Sequence, residues 1–249
     1  MNQVIKQLMQ RKSVRAFTDQ PVSEETVATI LEAATQAPTA GNQQLYTIIR
    51  VTDPDLKARL AESCDHQPFI ATAPLVLVFC ADCRKWYHAF KDYGCQPRTP
   101  GVGDLMLAVS DANIAAQNAV VAAHSLGLGS CYIGDIMENA EQQRMILFLP
   151  PYVFPAAMLV MGYPTRQQLE RPKPPRSSLE YIVHENGYRD MDAAELKQQL
   201  SVKAGVRNFE DWIGAFCNRK YNSDFSREMT RSVQVFLEDF SGGEHHEES

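Results

Sequence analysis

The sequence predicts an α+β fold, a mixed α+β sandwich. Helical and strand-like patterns alternate without a regular βαβ beat, which argues against a doubly wound parallel sheet. Four segments read as strands: 46–51, rich in β-branched residues; the continuous apolar run 74–80; the short 131–133; and 156–162. The third observation is the alanine-rich pattern 104–126, apolar nearly all round, which marks a helix buried inside a domain or between subunits.

The other elements follow in order. Val4, Ile5, Leu8 and Met9 recur at helical spacing. Ser23 can cap a second helix, with Glu24 and Glu25 in its first turn and Val27, Ile30, Leu31 and Ala34 as its buried stripe. A turn spans 38–44. Asp53-Pro54 opens a helix whose few apolar positions, Leu56 and Leu60, predict a surface location. The unbroken apolar run of 74–80 predicts a central strand covered on both faces. Residues 84–103 read as a mobile loop carrying one short helix, the kind of segment that covers a site. Gly127 ends the long helix, 131–133 form a short strand, and a helix lies around 139–148. Residues 164–178, rich in proline and cations, read as an exposed loop. Beyond Tyr188 the chain turns helical and more polar, anchored by Val206, Phe209, Trp212, Ile213 and Phe216. Phe225, Met229, Val233, Phe236, Leu237 and Phe240 anchor a last helix. The expected organisation is a domain over 1–190, a helical extension over 191–241, and a disordered acidic tail over 242–249.

Composition narrows the function. Hydrophobic residues make up 45% of the 249 and charged residues 22%, ordinary for a globular protein with a sizeable core. The net charge of -6 argues against a general nucleic-acid binder, so a cationic cluster must act locally. No apolar run approaches the roughly 20 residues that span a bilayer, and the N-terminus lacks a signal-peptide core, so a cytoplasmic enzyme or binding protein is expected. Six cysteines in a chain this long do not make a disulfide scaffold. Cys80 and Cys83 have redox or ligand spacing, but Cys80 closes an apolar strand and no second pair completes a zinc site.

Several motifs carry chemistry. Arg11-Lys12-Ser13-Val14-Arg15 places three cations and a hydroxyl within five residues, a set that can grip a phosphate as well as sit on a solvated surface. Asn42, Gln43, Gln44 and Gln67 are neutral amides, either surface polarity or readers of a heterocycle edge. Gly127-Leu128-Gly129 follows a helix, so it is no dinucleotide fingerprint. It reads either as a helix C-cap or as a loop whose backbone approaches a flat ligand closely. Arg171, Lys173 and Arg176 form a solvated face or close over a negative charge, and His184 has no nucleophile motif beside it. Hydrolase, zincin and P-loop signatures do not occur.

In order along the chain, 11–19, 37–44, 78–82, 125–134, 173–176 and 183–186 together resemble the FMN-dependent nitroreductase family, most closely its flavin reductase and oxygen-insensitive nitroreductase branch. The resemblance covers roughly 3–190. It implies a mixed β-sheet flanked by helices in an obligate homodimer, with FMN at the subunit interface. It implies that Arg11, Lys12, Ser13 and Arg15 hold the FMN phosphate, that Asn42, Gln44 and Gln67 lie against the ribityl chain and ring, and that Ser130, Cys131, Tyr132, Ile133 and Gly134 line the flavin. Lys173 and Arg176 would reach back to the cofactor as charge stabilisers.

Two departures stand out. Lys173-Pro174-Pro175-Arg176 has one residue more than the family's usual Lys-Pro-Arg. The chain beyond 190 does not match the branch's NADPH-selecting basic segment, so Arg207, Arg219 and Lys220 are candidates and either NADPH or NADH can serve as co-substrate. The resemblance predicts ping-pong hydride transfer from nicotinamide through FMN to small-molecule acceptors: nitroaromatics, quinones or free flavin. The rival readings are an FMN storage or sensing protein without turnover, or a narrower dehalogenase or enoate reductase. No nucleic-acid or membrane partner is expected.

Overall fold

Asn2 accepts the N–H of Ile5 at 3.0 Å and so opens α1 (Gln3–Gln10), an amphipathic helix; the computed structural model describes residues 1–241. The expected acidic tail, 242–249, lies outside the described residues. Ser23 caps α2 (Glu24–Thr35) by accepting from Thr26; Val27, Ile30 and Ala34 of the expected stripe are buried, while Leu31 is half-buried. β1 (Tyr46–Val51) follows, then α3 (Pro54–Ser63), where Asp53 accepts the N–H groups of Asp55 and Leu56. α3 is not the surface helix expected from its sparse apolar positions. Leu60, Ala61 and Ser63 are buried, because that face of α3 packs against the short helix 68–72 and the helix 140–147.

α4 (Pro68–Thr72) leads to β2 (Leu75–Asp82), in which every residue is buried. α5 (Arg84–Asp92) is the short helix expected within 84–103, and α6 (Val102–Ser125) is the long alanine-rich one. β3 (Gly129–Ile133), α7 (Ala140–Leu147), β4 (Val153–Gly162) and α8 (Arg166–Glu170) follow.

The strands form one four-stranded sheet in the order β1-β2-β4-β3. The continuous apolar runs of β2 and β4 take the two central places, where both faces are covered. Pro155, which has no N–H to give to the ladder, sits where the β2 to β4 register shifts. The expected mixed sheet is corrected. All three strand pairings are antiparallel, and the parallel component is confined to an isolated bridge between Ser13 and Ser130.

α6 lies along β2, β4 and α2 and buries nine residues, most of them alanines that let neighbouring backbones approach. By length and composition alone it is long and apolar enough to cross a membrane, a test that the buried core helix of a globular domain also meets. Among the described residues it is the one helix of that kind.

The chain divides into two units. One comprises Met1–Arg171 with the residues from Glu228 on, and the other Pro172–Arg227, so the first unit ends earlier than the expected 190. It gains the end of the last helix through Phe236 and Phe240, both part of the main core. The second unit contains α9 (Ala193–Ala204), α10 (Phe209–Lys220) and the start of α11 (Asp224–Glu238). In this unit Trp212 is buried and stacks with Phe209 and Phe216. Val206 is no anchor: it follows the positive-φ turn at Gly205, outside both helices, and is fully exposed.

Candidate functional site

The basic stretch leaves the C-cap of α1 at Arg11 and runs extended beside β3. Val14 donates its N–H to the Ser130 carbonyl at 2.9 Å, within the Ser13 and Ser130 bridge. The approach is so close that a Cβ on Gly129 would lie 2.6 Å from Val14, so only glycine fits there. On the far side Thr18 donates to the Tyr163 carbonyl at 2.8 Å, and Thr165 to that of Ala16 at 3.2 Å. Residues 13–18 are thereby clamped between β3 and the segment leaving β4.

The cations divide by task. Lys12 Nζ donates to the backbone carbonyls of Leu169 and Arg171, which fixes the segment after β4. Arg171 returns the contact, with Nη2 donating to the Ser13 carbonyl at 2.5 Å while its Nε is buried without a partner. Arg11 Nη1 is likewise buried without a hydrogen-bond partner, and Arg15 is exposed, its backbone N–H donating to Gln168 Oε1. Burial pushes the Cys131 thiol up, opposed by Arg15, the Ser13 hydroxyl and Arg11. Burial pushes the Tyr132 hydroxyl to about 12, again opposed by Arg11. Both guanidinium groups therefore act on the strand that carries Ser130, Cys131, Tyr132 and Ile133. Gly134 follows at the start of a 3₁₀ turn.

The amides lie elsewhere. Gly41, Asn42 and Gln44 all have positive φ, and the turn they form is pinned by Asp111 of α6. The buried Asp111 carboxylate accepts from Ala40 N at 2.9 Å and Leu45 N at 3.2 Å. Gln44 N donates to Thr39 Oγ1 at 2.8 Å, and Asn42 is exposed. Gln67 is half-buried and donates to the Cys64 carbonyl at 2.8 Å.

The strand register separates the turn from the cations. Tyr46, just after the turn, pairs with Ala81, whereas Ser130 and Leu75 both pair with Met161. The turn and the basic stretch thus sit at opposite edges and opposite ends of the sheet. Strand spacing and rise put them about 14 Å apart across it and about 20 Å along it. One chain does not bring Asn42 and Gln44 to Arg11, Ser13 and Arg15.

Lys173 is half-buried and Arg176 exposed in the second unit, where Arg176 Nη1 donates to the Pro174 carbonyl at 3.3 Å. In the same unit Arg207, Arg219 and Lys220 lie over the rings of Trp212, Phe216 and Phe225. Cys80 and Cys83 are buried free thiols, each pushed up to about 12 by burial, so neither is a thiolate at neutral pH. Among the described residues, no group of three or more His, Cys, Asp or Glu is placed to hold a metal.

Sequence reasoning missed Asp111 and left Arg171 among solvated cations. A carboxylate inside a run of buried alanines was a usable signal for Asp111, because a buried charge needs partners. Nothing in the sequence distinguished Arg171 from Arg166.

The nitroreductase family model matches residues 8–163, from within α1 to just past β4. The chain belongs to the nitroreductase family. The matched region holds the basic stretch, the turn and β3, while Arg171, Lys173 and Arg176 lie beyond it. Among nitroreductase-family relatives, an FMN reductase [NAD(P)H] of Bacillus subtilis is 32% identical, over 96% of this chain and 92% of its own. The oxygen-insensitive NADPH nitroreductase of Salmonella typhimurium is 35% identical over 77% of each chain. The solved structure of NfrA2 from B. megaterium superposes with a TM-score of 0.81 at 32% identity, covering 96% of this chain and 98% of the other.

Proposed function

We infer that this chain is an NAD(P)H-dependent FMN oxidoreductase that reduces small-molecule acceptors such as nitroaromatics, quinones or free flavin. The observation that carries the reading is Arg11 Nη1, a buried guanidinium nitrogen with no partner beside the Ser13 and Ser130 bridge. A buried charged donor without an acceptor is costly, and a phosphate monoester supplies oxygens in the geometry a guanidinium binds best. The residues fit FMN. Arg11, Ser13 and Arg15 would take its phosphate, with Lys12 and Arg171 holding the surrounding backbone in place. The strand residues 130–133 and Gly134 would lie along the ring, and Gln67 beside it.

When bound, the flavin supplies the hydride chemistry, and the protein supplies binding, orientation and electrostatics. Lys173 and Arg176 are assigned to neutralising negative charge on the reduced cofactor, following the family resemblance. No side-chain nucleophile is required, in keeping with the protonated state of the buried thiols.

The same reading includes a homodimer with each FMN at the interface. The separation of the 38–44 turn from the basic stretch supports it, because Asn42 and Gln44 could then join the cations of a second copy. Exposed apolar residues support it too: Val4, Ile5, Leu8 and Met9 on α1, and Met106, Leu107 and Ile114 on α6.

Anaerobic titration of FMN-loaded protein with NADPH and with NADH tests the function. Bleaching of the flavin absorbance, followed by reoxidation with a nitroaromatic, is the expected result. Protein that stays yellow with both nicotinamides is a storage protein, and protein that binds no FMN removes every flavin reading.

A further inference from the structure

A surface cavity of about 690 Å³ lies on the first unit, where β1 ends and β2 begins. It is lined by Thr18 and Val22 beyond the basic stretch, Arg50 of β1, Lys57 of α3, and Ala71 and Leu75 around the start of β2. None of its lining residues belongs to the set assigned to the cofactor or to the apolar faces given to a second copy. We propose that Lys57 is a site of Nε-acylation in this cavity, taking a small activated acyl group carried on a phosphate or a thioester.

The partners of Lys57 set it apart from the other lysines. Among the described residues its Nζ makes one hydrogen bond, to the Ala73 carbonyl at 3.0 Å, and is paired with no carboxylate. Two carboxylates share the cavity. Glu24 is held by Arg50 through two hydrogen bonds of 2.7 and 2.6 Å, and Asp19 makes no ion pair with Lys57. By contrast, Lys12 is taken by two carbonyls, Lys197 binds Glu210 at 2.6 Å, and Lys85 donates to the Tyr46 carbonyl beside Asp82. Burial holds the Lys57 ammonium below the usual lysine range, and the like charge of Arg50 acts in the same direction. Only the uncharged amine has a lone pair to give, so Lys57 keeps a larger nucleophilic fraction at neutral pH than an exposed lysine does.

In the reaction, the Lys57 nitrogen adds its lone pair to the acyl carbon. The carbon–oxygen bond to phosphate, or the carbon–sulfur bond of a thioester, then breaks with its electron pair. The nitrogen gives one proton to water, leaving an amide and free phosphate or thiol. The product suits the site. The amide keeps one N–H for the Ala73 carbonyl, and Val22, Ala71, Pro74 and Leu75 offer apolar surface to a short acyl chain. The positive charge is lost, so the bond to Ala73 changes from charge-assisted to neutral.

Acetylation of the protein with FMN added, by acetyl phosphate in one arm and acetyl-CoA in the other, tests the site through peptide mass spectrometry. Lys203, exposed on α9, is the internal standard. At pH 7 Lys57 should be acetylated at least about threefold faster than Lys203, although it is the more buried of the two. The ratio should fall as the pH is raised to 9.5, because the exposed lysine then gains free amine as well. Preference in either arm supports the proposal and identifies the donor as acyl phosphate or thioester. Labelling of Lys57 no faster than Lys203 in both arms would overturn it. So would a ratio that does not change with pH, since that would report access to the reagent alone.

Discussion

Val14 donates its backbone N–H to the Ser130 carbonyl at 2.9 Å, and this bond joins the N-terminal cations to β3. The joint depends on Gly129, where any Cβ would meet the Val14 side chain at 2.6 to 2.8 Å. Gly129→Ala is expected to destabilise the protein by about 1–3 kcal/mol through overpacking, measurable by urea unfolding, and to weaken FMN binding with it. Val14→Ala in the same chain removes two of the three clashing atoms and should recover part of both. Wild-type stability in Gly129→Ala would show that the strand is not pinned here.

The 38–44 turn depends on a different anchor. Asp111→Ala leaves the N–H groups of Ala40 and Leu45 without their acceptor. The expected cost is about 2–4 kcal/mol, since each unsatisfied buried donor costs roughly 1–3. Hydrogen exchange should rise at 40–45 more than in β2. Uniform protection across the turn would contradict the anchoring role.

Stability should fall as pH rises past the carboxylate range, because of Glu138. Burial pushes its carboxyl up to about 7, with Asp135, Asp65 and Glu228 adding repulsion, and its Oε1 is buried without a partner. The native state then holds a proton that the unfolded chain releases near 4.5, so stability is lost between about pH 4.5 and 7 and the loss is complete above it. Glu138→Gln should raise the Tm by roughly 2–6 °C at pH 8 and leave it unchanged at pH 4. An equal shift at both pH values would contradict the assignment.

Thiol reactivity separates buried from accessible cysteines. Cys95 and Cys217 are exposed, whereas burial pushes Cys64, Cys80 and Cys83 up to about 12 and raises Cys131. Two thiols should react rapidly with a disulfide reagent at pH 8, and six after denaturation. Fast reaction of Cys80 or Cys83, identified by mass spectrometry, would reopen a redox role for that pair.

Much of this was legible in the sequence wherever a periodicity or a cap decides the matter. The strand 46–51 has the bounds expected of it, and the Ser23 and Asp53 caps sit where their side chains can take orphan N–H groups. The apolar run of β2 predicted its central place. Long-range pairing was not legible. Nothing local in residues 11–15 says that Val14 meets Ser130, and no periodicity in β1 to β4 fixes their antiparallel order. At the candidate site the residue types could be read but not their division of labour. Lys12 and Arg15 look alike in a basic run, yet Lys12 Nζ is occupied by two carbonyls while Arg15 is exposed. That distinction comes from the segment after β4, which folds back from far along the chain. The turn and the basic stretch share one sequence signature, yet the register of four strands keeps them apart.

Whether the N-terminal cations hold FMN by its phosphate, as proposed, is read by calorimetric titration of apoprotein with FMN. Tight binding is expected of the wild type, at least tenfold weaker binding of Arg11→Ala, and a smaller loss for Lys12→Met, whose nitrogen serves the backbone. Arg11→Ala binding FMN as tightly as the wild type, or a wild type that binds none, would contradict it.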